Sequence, residues 1–262
     1  MEIYLKQFYK QQHESIPTTE DSGKIFLEDG AKTHSKQPMV TGASILGIKF
    51  KDGIMLAGDT LGAWGKMARF RSIQRLQKIN NSTVIGGGGD IADFQHITKV
   101  LKETQNDDWI LDDDHSKTPK EYHQLLTRIM YQRRNKFDPL WNAVIVGGVE
   151  PTYDGSQPKP FLGYVDLIGT NYEGDLLATG FGNYLAVPIL RKYLDIKNGY
   201  QNISREEAKY ILDEALKVLF YRHCVTINKI QTATVTTDGV EISEPYKLNT
   251  EWEYSGFNIR ND

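Results

Sequence analysis

In the stretch VTGASILGIKFKDGIMLAGDT, residues 40–60, apolar side chains alternate at Leu46, Ile48 and Phe50. Lys51-Asp52-Gly53 then supplies a turn, and Ile54 to Ala57 is a continuous apolar run. Strict alternation predicts a strand with one wet face, and an unbroken run predicts a strand covered on both faces. The stretch therefore opens a two-stranded unit at the front of a layered domain. Before it, residues 1–36 are polar, QQHESIPTTEDSG being the least core-like part, and read as an N-terminal extension outside the fold.

Beyond residue 60 the pattern continues as strands, helices and strands again. STVIGGGGD is a strand running into glycines. A helix over 92–103 carries Phe94, Ile97, Val100 and Leu101 on one stripe. A second begins at Thr118, with Pro119 in its first turn and Glu121 three residues after the cap; its stripe is Tyr122, Leu125, Leu126, Ile129 and Met130. NDDWILDDDH between them reads as a solvated acidic loop. Strands return at 142–149, 161–169 and 175–180, the first two separated by the Pro/Gly-rich EPTYDGSQPKP. A long helix follows, capped by Ser204 and Glu207, with Ala208, Ile211, Leu212, Ala215, Leu216 and Leu219 inward. The last strands turn at Asp238-Gly239. This order predicts an α+β fold: a four-layer αββα sandwich of two antiparallel sheets between helix layers.

Composition narrows the function classes. The chain has 262 residues, 39% hydrophobic and 25% charged, enough for one large domain with a real core. A net charge of −3 gives no reason to expect a nucleic-acid or membrane-surface partner. A single cysteine, Cys224, allows no internal disulfide and suits a reducing compartment. Six scattered histidines have no zinc spacing, and GGGG at 86–89 lacks the Lys-Ser/Thr of a phosphate loop, so neither a metal nor a nucleotide cofactor is expected. His96 reads as an edge histidine, and Phe181 and Trp141 as packing residues. QRRNK at 132–136 is either a solvated helix end, where cations complement the helix dipole, or a salt-bridging surface between subunits.

GIKFKDGIMLAGDT, GGGGDIADF, GFG and YRH together resemble the proteasome beta subunit family over about residues 41–246. MYQRRNKFDPLWNAVIVGGV (130–149) is more specific, and looks like the non-catalytic beta subunit usually counted seventh in the eukaryotic ring. The resemblance implies an N-terminal-nucleophile hydrolase fold, in which a threonine freed by cleavage after glycine attacks the substrate with its own amine as base. It also implies where each site residue falls. The nucleophile position, after Gly42, is Ala43, which has no hydroxyl. Asp59 is the retained aspartate, and Gly89 the retained residue where a backbone N–H would face an oxyanion. Arg75 stands for the catalytic lysine, Phe181 for the serine of the GSG turn, and His223 and Thr226 for the late aspartate and serine. No catalytic residue is expected. The alternative is an active peptidase with a displaced nucleophile, Ser44 after cleavage at 43–44, or Thr41.

The resemblance further implies a structural subunit held among other beta and alpha subunits in stacked rings, in cytoplasm and nucleus. The strands begin without the preceding N-terminal helix that an alpha-type subunit needs. The extension is then expected to be a pro-segment, cut by an active neighbour between Ala31 and Gln37. Residues 246–262, with Tyr246, Leu248, Trp252, Tyr254, Phe257 and Ile259, are expected to leave the 37–245 domain as an arm reaching the opposite beta ring.

Overall fold

The computed structural model describes residues 38–111, 116–150 and 158–253. The N-terminal extension, its expected cleavage site and the end of the arm lie outside the described residues.

Fourteen strands appear among the described residues: β1 (Val40–Gly42), β2 (Ile45–Phe50), β3 (Gly53–Asp59), β4 (Gly62–Trp64), β5 (Met67–Phe70), β6 (Leu76–Lys78), β7 (Thr83–Asp90), β8 (Asn142–Glu150), β9 (Lys159–Val165), β10 (Asn171–Glu173), β11 (Leu176–Ala178), β12 (Lys229–Thr236), β13 (Gly239–Ile242) and β14 (Tyr246–Lys247). The helices are α1 (Ile91–Leu111), α2 (Pro119–Asn135), the single turn α3 (Gly182–Leu185), α4 (Val187–Ile196) and α5 (Arg205–Arg222). One sheet runs β10-β9-β8-β7-β1-β4-β5 with β6 on β7, and the other runs β11-β2-β3-β12-β13 with β14 on β12. Every pairing is antiparallel.

Three apolar layers hold the sandwich together. Ile45, Ile54, Leu56, Leu76, Val84, Ile145 and Leu162 interleave between the sheets. Ile85, Val144 and Val146 meet Phe94, Leu101, Tyr122 and Leu126 of α1 and α2 on one outer face. Leu46, Ile48 and Phe50 meet Leu190, Ile211, Leu212 and Leu216 on the other. The αββα architecture expected from the sequence is the one observed.

Both predicted capping boxes form: Thr118 accepts from the Glu121 N–H and Ser204 from the Glu207 N–H, each glutamate reaching back to the cap N–H.

Several details differ from the reading of the sequence. β2 has no wet face. Its even residues meet the helix layer and its odd ones the inter-sheet core, so only Lys49 is partly exposed. The segment from 106 to 111, expected as an acidic loop, continues α1; Lys117 pairs with Asp108 and holds that last turn. β9 stops at Val165, because the Asp166 carboxylate accepts from the N–H groups of Ile168 and Thr170 and turns the chain. α4, unmarked by any sequence signal used above, has its proline at the start, where the missing N–H costs nothing. The sandwich also reaches past residue 245: β14 pairs Tyr246 with Ile230 and Lys247 with Lys229, and Leu248 is buried.

Candidate functional site

β1 belongs to the first sheet and β2 to the second, so the chain crosses the sandwich within residues 43 and 44. Each flank of β1 is paired, Thr41 with Ala63 on β4 and with Asp90 on β7. Thr41 is therefore locked inside a sheet, a poor place for a nucleophile.

Arg75 fills the space beneath the crossing. Its side chain is 1% exposed. Nε donates to the Asp59 carbonyl at 2.9 Å, Nη1 to the Ala43 carbonyl at 2.7 Å and Nη2 to the Ser44 carbonyl at 3.4 Å. Nη2 also pairs with Asp59 Oδ1, and Asp59 Oδ2 accepts from the Ile227 N–H at 3.1 Å. One guanidinium thus ties the end of β3 to the crossing, in the planar fork geometry that only arginine offers. Burial pushes Asp59 above the ordinary carboxylate range, opposed by Arg75 and the Ile227 N–H. It likewise pushes Arg75 down, opposed by Asp59. Arginine stays protonated at any working pH, and the Asp59 carboxylate is taken up by that guanidinium and by the Ile227 N–H, so the pair is built as a contact and not as a proton relay.

The glycines around the crossing are required by close approach. A Cβ on Gly42 would sit 2.5 Å from Arg75 Cδ, and one on Gly88 2.8 Å from the Ala43 carbonyl oxygen. Gly89 has φ +100° and its absent Cβ would collide with the Trp141 carbonyl. Asn142 fixes this glycine turn by donating to the carbonyls of Gly88 and Asp90 at 3.1 and 2.8 Å. Thr179 adds a buried tie, its Oγ1 accepting from the Ile45 N–H at 2.8 Å. Asn142 sits inside the FDPLWNA motif, but nothing in the sequence marks Thr179.

Ser44 is 3% exposed, and its Oγ accepts from the Gly182 N–H at 2.8 Å. Phe181 precedes Gly182 and is 56% exposed, where the sequence suggested a packed residue; its ring lies 4.7 Å from the His223 ring, tilted 49°. His223 ends α5, and burial pushes its pKa below the ordinary value, with Asp59 opposing and Arg75 reinforcing. Thr226 Oγ1 donates to the His223 carbonyl at 2.8 Å. Beside Asp59 a cavity of about 10 Å³, lined by Ser44, Leu219, Thr226 and Ile230 among others, has room for about one water and not for a peptide.

The structure therefore gathers Ala43, Ser44, Asp59, Arg75, Phe181, His223 and Thr226 around one crossing, with Gly89 on the adjoining strand. These groups bind one another, and their chemistry is that of a clamp. No group of three His, Cys, Asp or Glu side chains able to hold a metal occurs among the described residues, and no helix among them is long and apolar enough to cross a membrane.

Comparison with known proteins agrees with this frame. Residues 39–235 match the family described as "Proteasome subunit". The "Proteasome subunit beta type-4" of Xenopus laevis is 44% identical over 242 residues, covering 92% of this chain and 96% of that protein. The protein of the same name from Arabidopsis thaliana is 44% identical over 237 residues, 90% and 91% of the two chains. The "Proteasome subunit beta type-7" of Saccharomyces cerevisiae is 35% identical over 228 residues, 85% and 84%. With its fold, its sequence and the geometry of its crossing in agreement, the chain belongs to the proteasome subunit family, as a beta subunit of the type-4 (type-7 in yeast naming) kind.

Proposed function

We propose that this beta subunit is non-catalytic and serves the core particle structurally, supporting ring assembly and ring-ring cohesion while neighbours cut peptides in ubiquitin-dependent and other intracellular proteolysis. The observation that carries the reading is the Arg75 fork on the Ala43 and Ser44 carbonyls. A position that must become a free N-terminal nucleophile has no hydroxyl, and its carbonyl is bound by an arginine that cannot shuttle protons. Cleavage after Gly42 would also detach β1, which bridges β4 and β7.

The displaced-nucleophile reading is weaker. Ser44 is buried, and its Oγ would have to give up its bond to the Gly182 N–H before it could attack a substrate. In the structural-subunit reading, the chain works in cytoplasm and nucleus, its N-terminal extension is trimmed by an active neighbour between Ala31 and Gln37, and its C-terminal arm contacts the opposite beta ring. The described start of that arm is consistent with a directed exit: Tyr221 OH donates to the Glu251 carbonyl and accepts the Glu251 N–H.

A covalent probe for N-terminal threonines, applied to the intact particle, tests the central statement. It should mark other subunits and leave this chain unmarked; a labelled peptide beginning at Ala43 or Ser44 would overturn the reading.

A further inference from the structure

Only two non-glycine residues among those described have a left-handed backbone, Phe137 (φ +54°) and Asn198 (φ +54°). Asparagine visits that region readily; phenylalanine does not. Phe137 stands at the position just past the α2 C-cap that glycine usually occupies. The turn around it is tightly specified. Its own N–H donates to the Arg134 carbonyl at 3.0 Å, and the Asp138 N–H donates to the Arg133 carbonyl at 3.1 Å. Arg133 closes the loop by donating from Nε to the Asp138 carbonyl at 2.9 Å and from Nη2 to Asp138 Oδ2 at 2.8 Å.

The product of this strained turn is an aromatic ring that is 90% exposed. Tyr131 and Trp141, four or more residues away on either side, are also exposed at 51% and 44%. Single exposed apolar residues need no explanation, but a ring held out by a strained backbone does. Trp and Tyr are enriched at interface anchors. The end of the helix is cationic. Arg134, three residues before Phe137, is exposed and not ion-paired among the described residues; it lies 5.8 Å from the Tyr131 ring centroid.

We propose that Phe137 is an anchor that inserts into an apolar pocket with a carboxylate rim on a neighbouring proteasome subunit, and that the α2 end is built to present it. The strain has no return within the chain, where the ring touches almost nothing; a pocket on a partner supplies the return, and Arg134 selects its acidic edge. The inference rests on this chain assembling with other subunits, and extends that to one surface and one partner chemistry.

The test uses Phe137→Gly and Phe137→Asn in the full chain, co-expressed with a differently tagged wild type. Both residues accept the left-handed turn, so the free chain should melt no lower than wild type. Incorporation into the particle should fall by at least about ten-fold, the factor that corresponds to ~1.4 kcal/mol. Phe137→Leu, which keeps an apolar knob, should recover part of it. Equal incorporation of the glycine and wild-type chains would overturn the anchor, as would an effect confined to self-association of the free chain. Failure of the wild-type chain itself to enter the particle would instead strike the structural-subunit reading.

Discussion

Replacing Arg75 by lysine is the most direct probe of the clamp, because it keeps the charge and removes the fork. The ammonium ends roughly where the guanidinium carbon lies and can follow Asp59. It cannot also reach the Ala43 carbonyl at 2.7 Å and the Asp59 carbonyl at 2.9 Å, which lie on different branches of the guanidinium. At least one and up to two buried carbonyls then lose their donor, at about 1–3 kcal/mol each. We expect a loss of about 2–4 kcal/mol, and for a domain of this size ~2–4 °C in Tm per kcal/mol, so a drop of about 5–15 °C. Arg75→Met should cost more, because Asp59 is left as an unpaired buried carboxylate, a break worth about 3–5 kcal/mol. Thermal unfolding of the purified chain gives the ranking. Hydrogen exchange gives the place: amides of β1 and β2 should lose protection in Arg75→Lys while α2 does not. If Arg75→Lys melts within a degree or two of wild type, the fork does not hold the crossing and the clamp is wrong.

Gly42→Ala should cost about 1–3 kcal/mol, because its methyl would lie 2.5 Å from Arg75 Cδ; the cost should shrink in an Arg75→Ala background, where the obstacle is gone. Ala43→Thr alone should leave this subunit unmarked by the threonine probe, since Arg75, Phe181 and His223 remain. Stability should fall as pH drops below ~6.5. His123 is buried, Nε2 donates to the Tyr164 carbonyl at 3.0 Å, and Nδ1 has no partner, so burial holds its pKa below the ordinary value. The unfolded chain then takes up the proton first, and stability rises with pH through that window. His123→Gln should flatten part of this dependence in pH-resolved melting curves; an unchanged slope would remove His123 as its source.

Much of the layering was legible because it rests on periodicity and caps. Thr118 with Glu121 and Ser204 with Glu207 are local signals with a local mechanism, and both helices start where these residues place them. Periodicity misled at β2, where Leu46, Ile48 and Phe50 mark one buried face but say nothing of the other. Gly47 and Ile45 are buried too, since β2 is an inner strand of a sheet covered on both sides. The far end of α1 was hidden for the opposite reason: its last turn exposes Trp109, Ile110 and Leu111 and depends on the Lys117–Asp108 pair, which no periodic stripe records.

The site was legible as a list of positions and silent as a geometry. Resemblance places Arg75 where a lysine would be, and chemistry then denies it proton transfer. Neither says what a buried guanidinium does instead, because its acceptors are backbone carbonyls of residues 43, 44 and 59, sixteen or more positions away in the chain. That choice of acceptors makes the clamp independent of the side chain at 43. Backbone carbonyls are present whatever side chain stands at 43, so losing a hydroxyl there removes nothing from the clamp. Asp59 keeps its place because a buried arginine needs a counter-charge. Gly42 and Gly88 keep theirs because any Cβ would press on the clamped chain. A crossing tied in this way fixes the two sheets against each other, and with them the outer helix layers, one of which carries Phe137 at its end.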